Sequence, residues 1–220
     1  MQYTDNYHKL KDQLTLWLLL YELKKFGFKT QRLKLQKLVY LNDIFGTILK
    51  NKPTTYSFIV YKRGPFSKEI YNDIERLVSI DIVKAKVDEI DKWDPNQDRS
   101  FEYEIEESSI DRANVILRRS EFNSLDKSVE LTVQALGYLS GEEIRQLVYS
   151  EPNYVAAKEI GFGTVINPAY TFASNFREMS KRLSLREFGI ELRDEEVLWL
   201  YLNYLRTVTF PEKSKFMEIQ

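Results

Sequence analysis

The sequence predicts an α+β fold that is mainly helical: a helical core with a small antiparallel sheet and a winged-helix-like unit. Three observations lead there. Apolar residues recur at spacings of three and four both before Leu49 and after Leu125, the period of a helix with one buried face. Between them, from Tyr56 to Glu106, a strand, a tight turn, an amphipathic helix and a polar hairpin follow in that order. The chain has 220 residues with 43% apolar and 14% aromatic content, enough to bury a sizeable core without staples.

A first helix starts near Thr4 or Asp5 and buries Leu10, Leu14, Trp17, Leu18, Tyr21 and Leu23. Its run LTLWLLL, Leu14 to Leu20, has the length of a signal-peptide core but lacks a small-residue cleavage site and is too short to span a bilayer. It reads as a buried helix. Gly27 stops this helix, and Thr30 caps a second one carrying Leu33, Leu38, Leu41, Ile44, Phe45 and Ile48.

The strand YSFIVY ends at Gly64-Pro65. Ser67 then suits an N-cap through its hydroxyl, and Phe66 and Tyr71 suit a hydrophobic staple. The next helix offers Ile70, Ile74, Leu77 and Val78 to the core. Strands over residues 80–87 and 99–106 are joined by turn chemistry around DPNQD. A short helix from Ile110 to Arg119 and a longer one from Leu125 to Leu139 follow, the latter interrupted by Gly137. Ser140 and Glu143 form a capping box for GEEIRQLVYS. Glu151-Pro152 ends that helix. Val155 to Ile160 makes a further turn, and GFGTVINPAY is a loop and a boundary. Helices near Thr171–Leu183 and Asp194–Thr207 complete the chain, the second capped by Asp194. The expected organisation is residues 1–160 as the main domain, with the winged-helix-like unit at about 56–106, and 161–220 as a helical extension packed on it.

Composition excludes several chemistries. There is no cysteine and one histidine, His8, so neither a disulfide framework nor a thiolate metal site is available, which suits a reducing cytoplasm. No Walker loop, dinucleotide fingerprint or G-x-S-x-G elbow occurs. Net charge is −1 but segregated: residues 1–72 hold 13 lysines and arginines against 5 acids, and residues 73–160 hold 11 against 20. Such a division serves either internal attraction or a basic face for a polyanion or acidic partner.

The basic cluster Lys62-Arg63, with Ser67 and Lys68 nearby, stands at the start of the short helix, where free amides favour an anion. Lys34 and Lys37 share the second helix with Arg32 and follow Lys24, Lys25 and Lys29, a basic helix suited to a DNA backbone. The hairpin's Asp88, Glu89, Asp91, Asp94 and Asp98 would repel phosphates and suit a basic protein instead. Glu102, Glu104 and Glu106 fall on one face of a strand, opposite Phe101, Tyr103 and Ile105. That is a half-buried strand with a wet side. A carboxylate metal site for hydrolysis would need convergence from separate elements.

The segment KLQKLVYL, Lys34 to Leu41, followed by Gly64-Pro65 and by SGEEIRQLVYSEPNYVAAK, Ser140 to Lys158, resembles the Panacea-domain (SocA-like antitoxin) family. The resemblance spans roughly residues 10–160. Leu147, Glu151 and Pro152 fit its late signature, while Val148 and Tyr149 replace a threonine and a histidine, and Asn153 replaces a tryptophan. The resemblance implies a mainly helical fold with a small sheet, no enzyme activity and no cofactor. It implies a cytoplasmic antitoxin or phage-defence protein that neutralises a toxin or phage-related protein by direct binding, or delivers it to a protease. The alternative from the residues themselves is a winged-helix DNA-binding transcriptional regulator.

Overall fold

The computed structural model describes residues 2–51, 54–87, 101–118, 123–166 and 172–211. Helix α1 (Gln2–Lys25) runs past the expected caps Thr4 and Asp5. Leu14 through Leu20 are all buried along it, so the apolar run is core helix. Its end follows the glycine logic. Gly27 has φ +70°, and the amides of Gly27 and Phe28 bond back to the carbonyls of Lys24 and Leu23, as a left-handed terminator requires.

Helix α2 (Arg32–Ile48) is the central rod, with every residue from Lys34 to Phe45 buried. It packs on α1, α5 (Asn123–Leu136), α6 (Gly141–Tyr149), α8 (Phe172–Phe188) and α9 (Asp194–Thr209). A helix apolar on one face only would leave its other face wet. Here the second face is polar yet covered, which is the origin of the site described below. Thr30 does not cap α2. The cap position is Gln31 without a side-chain bond, and the Thr30 carbonyl accepts from the Tyr103 amide at 2.9 Å. A strand pairing has taken the residue that a helix cap would have used.

Strands β1 (Phe58–Tyr61) and β2 (Gly64–Phe66) form a tight hairpin, with Tyr61 opposite Gly64. Helix α3 (Lys68–Ser79) follows. A two-stranded ribbon then pairs β3 (Val83–Val87) with β4 (Phe101–Ile105), Val83 opposite Ile105. Strand, turn, helix and hairpin thus occur in the expected order. The ribbon's turn and its acids, Asp88 to Asp98, lie outside the described residues. Phe66 and Tyr71 meet edge to face at 5.3 Å, the expected staple. Ser67 occupies the cap position of α3, but its hydroxyl makes no capping bond and lies 3.4 Å from Glu69 instead.

A single 3-10 turn (Glu107–Ser109) leads into α4 (Ile110–Leu117). The Trp17 indole donates to the Ser109 hydroxyl at 3.1 Å and ties this turn to α1. Helix α5 ends at Leu136, so Gly137 lies just beyond it rather than inside. A Cβ there would fall 2.8 Å from the Phe28 ring. Ser140 and Glu143 form the expected capping box on α6. Helix α7 (Pro152–Ile160) is a full helix where only one turn was expected.

The loop GFGTVINPAY is less open than its composition suggests. Its Val165–Ile166 form β5, which pairs antiparallel with β1 to give the order β2-β1-β5. After it, α9 contributes Val197, Leu198, Tyr201, Leu202 and Leu205 to the same core as α2. Asp194 is the first helical residue of α9, not its cap. Arg193 holds that position, and its amide donates to Glu196 at 2.7 Å. Asp194 instead takes ion pairs from Arg177 at 2.7 Å and Lys181 at 2.6 Å.

Candidate functional site

The polar residues of α2 are bound internally. Lys34 donates to the Gly137 carbonyl at 2.6 Å, and Lys37 to the Pro65 carbonyl at 2.6 Å. Lys37 is 2% exposed. Burial lowers its pKa to about 7, with the nearby Arg145 charge acting in the same direction. Burial also lowers that of Lys34. Between them Gln36 makes a reciprocal pair with the Ser67 backbone: its amide donates to the carbonyl at 2.7 Å and accepts from the amide at 3.0 Å. The start of α3 is thereby fastened to α2. The basic helix expected to ride a phosphate backbone does not present Lys34 or Lys37 to solvent.

One turn further along α2, Tyr40 meets Glu151. Glu151 is fully buried and stands at the N-cap of α7, with Pro152 at the first helical position, where its missing amide is harmless. Its carboxylate accepts from the Tyr154 amide at 2.9 Å, the Asn153 side-chain amide at 2.9 Å, the Tyr40 hydroxyl at 2.5 Å and the Tyr201 hydroxyl at 3.0 Å. Four donors satisfy a buried acceptor that would otherwise be costly. Burial, followed by the Glu151 charge, raises the phenol pKa of both tyrosines well above its ordinary value.

Gly64 completes the arrangement. Its φ is +99°, and a Cβ there would lie 3.1 Å from both the Lys37 Cε and the Tyr149 ring. Tyr149 in turn stacks on Tyr154 at 5.4 Å. Segments distant in sequence therefore interlock: the α2 polar stripe, the glycine-proline corner and the α6–α7 junction.

Outside this junction opens a groove of about 860 Å³ between the start of α2, the β1–β2 hairpin, α3 and β4. Arg32, Gln36 and Lys37 line it from α2, Tyr61 to Gly64 and Phe66 from the hairpin, Tyr71 from α3 and Phe101 from β4. The Arg32 guanidinium lies 3.5 Å from the centre of the Tyr71 ring and 5.2 Å from that of Phe101. Among the described residues no carboxylate lines the groove.

The carboxylates of β4 do not converge. Glu104 pairs with Lys86 at 2.8 Å, Glu106 with Lys84 at 2.6 Å and Glu102 with Lys29 at 3.7 Å. Among the described residues no group of three or more histidines and acids is placed to hold a metal ion.

The chain matches the family described as antitoxin SocA-like, Panacea domain. The match covers residues 35–153, more than half of the chain, and the chain belongs to this family. No curated protein matches the chain. Membership carries a role related to toxin–antitoxin systems. No helix among the described residues is long and apolar enough to cross a membrane.

Of the residues singled out from sequence, Lys37, Lys62 and Arg63 come together around the groove. Ser67 is buried behind it, and Lys68 is exposed beside it. Lys34 faces away, toward Gly137. Leu147, Glu151 and Pro152 belong to the buried junction, where Leu147 is core. Sequence reading passed over Tyr40, although it lies within KLQKLVYL. It also passed over Tyr201, which has no local signal because its partner is 50 residues away.

Proposed function

We propose that this chain is a non-enzymatic intracellular binding protein of the antitoxin type. It neutralises a toxin or phage-related protein by direct contact, or hands it to a protease. The observation that carries this reading is the internal use of the polar residues along α2 and at the α7 cap. Glu151, Lys37 and Lys34 each engage internal partners and are shielded from solvent. A reacting group needs access to substrate; these groups hold elements together. They build a rigid frame, and recognition falls to the surface that the frame supports.

The DNA-binding alternative loses support from the same burial. Of the cations singled out in the sequence, burial of Lys34 and Lys37 leaves Lys62, Arg63 and Lys68 at the start of α3. Non-specific affinity for DNA depends on the number of phosphates neutralised.

Co-expression tests the reading. A toxin encoded beside this chain should arrest growth alone and be tolerated when this chain is co-expressed. A neighbour that arrests growth whether or not the chain is present would count against it.

A further inference from the structure

The groove continues into an exposed aromatic row. Phe162 lies 5.1 Å from Tyr61, Tyr61 lies 5.0 Å from Phe66, and Phe66 lies 5.3 Å from Tyr71. Arg32 then covers Tyr71. The row runs from the end of the sheet at β5 to the β3–β4 ribbon. Phe162 is 65% exposed and Tyr61 41%, whereas large aromatic side chains on a monomer's surface are usually covered. Aromatic residues and arginine are also the types enriched where proteins meet.

Two of the cations beside this row, Arg32 and Lys62, lack internal counter-charges: neither has a carboxylate partner among the described residues. The Arg32 Nε is sealed from solvent and makes no hydrogen bond. A guanidinium held flat against a ring is pre-organised for a carboxylate, because little side-chain entropy remains to be lost.

We propose that this groove takes an acidic segment of a protein partner. A carboxylate of that segment sits on Arg32 and beside Lys62, and a large apolar side chain lies along Tyr61 and Phe162. The proposal rests on the binding-protein reading given above and specifies its surface. A single-stranded nucleic acid would also stack on aromatics and seek cations. Its backbone is anionic throughout, however, and affinity for it grows with the number of phosphates neutralised, for which Arg32 and Lys62 offer few partners. A protein segment can confine its acids to the groove.

The test measures fluorescence anisotropy on the full chain, with three labelled probes. They are a short peptide of Asp, Glu and Trp, its twin with Asn and Gln in place of the acids, and an oligothymidylate of similar length. The acidic peptide should bind, its amide twin at least about tenfold more weakly, and the oligothymidylate more weakly than either. Arg32→Ala and Lys62→Glu should each weaken the acidic peptide by about tenfold. Lys62 is exposed, so its variant remains informative if Arg32→Ala fails to fold. Equal binding of the two peptides, tighter binding of the oligothymidylate, no binding, or an unaffected Lys62→Glu would each overturn the proposal. Growth rescue by the wild-type chain reports on the binding-protein reading separately.

Discussion

The Tyr40 hydroxyl donates to the Glu151 carboxylate across 111 residues of sequence, at a point where both side chains are sealed from solvent. The bond joins the central helix to the cap of α7, and Tyr201 brings α9 to the same carboxylate. Glu151→Ala removes one acceptor and strands the donors of Tyr40 and Tyr201. Unfolding in urea should show a loss above about 3 kcal/mol. Tyr40→Phe removes a single bond to a charged group and should cost about 1–3 kcal/mol.

Lys37 makes stability depend on pH in a defined sense. Its folded pKa is about 7, below the ordinary 10.5. Between those values the unfolded chain binds a proton that the folded chain does not, so this residue's contribution to stability rises with pH. Its slope approaches about 1.4 kcal/mol per pH unit. Lys37→Met removes the term. The stability of wild type relative to Lys37→Met should therefore climb between pH 7 and 9. Urea titrations of both proteins across that window check it, and a flat difference would refute it.

Gly64→Ala should destabilise through two effects. The positive φ is unfavourable for any residue with a Cβ. The new methyl also presses on Lys37 and Tyr149 at 3.1 Å. A loss of at least about 1–3 kcal/mol is expected, readable as a lower Tm. Because Lys37 is the residue displaced, the pH dependence just described should shrink in the same variant.

Glu104→Gln breaks an exposed ion pair with Lys86. Such pairs contribute about 0–1 kcal/mol, so neither Tm nor growth rescue should change appreciably. Loss of rescue in a folded Glu104→Gln protein would reopen the carboxylate-site reading.

Local chemistry in this chain was legible in sequence, and pairing at a distance was not. The glycine stop at Gly27, the Phe66–Tyr71 staple and the Ser140 capping box depend on neighbours within a few residues, and each occurs as expected. Thr30 and Ser67 have the right side chains for caps, but tertiary partners from β4 and Gln36 engage their backbones instead. Val165-Ile166 looked like loop because its strand character comes only from β1. For the site, Lys62 and Arg63 of the hairpin turn are exposed. Lys34 and Lys37 misled because a lysine on a helix is normally wet. Their burial follows from packing around α2, which no local window contains.

The central claim is that Glu151 and the buried polar residues of α2 build the frame while the surface performs recognition. Growth rescue by Glu151→Gln, measured at a temperature where circular dichroism shows the variant fully folded, tests it most directly. The account predicts rescue equal to wild type; a folded variant that no longer rescues would contradict it.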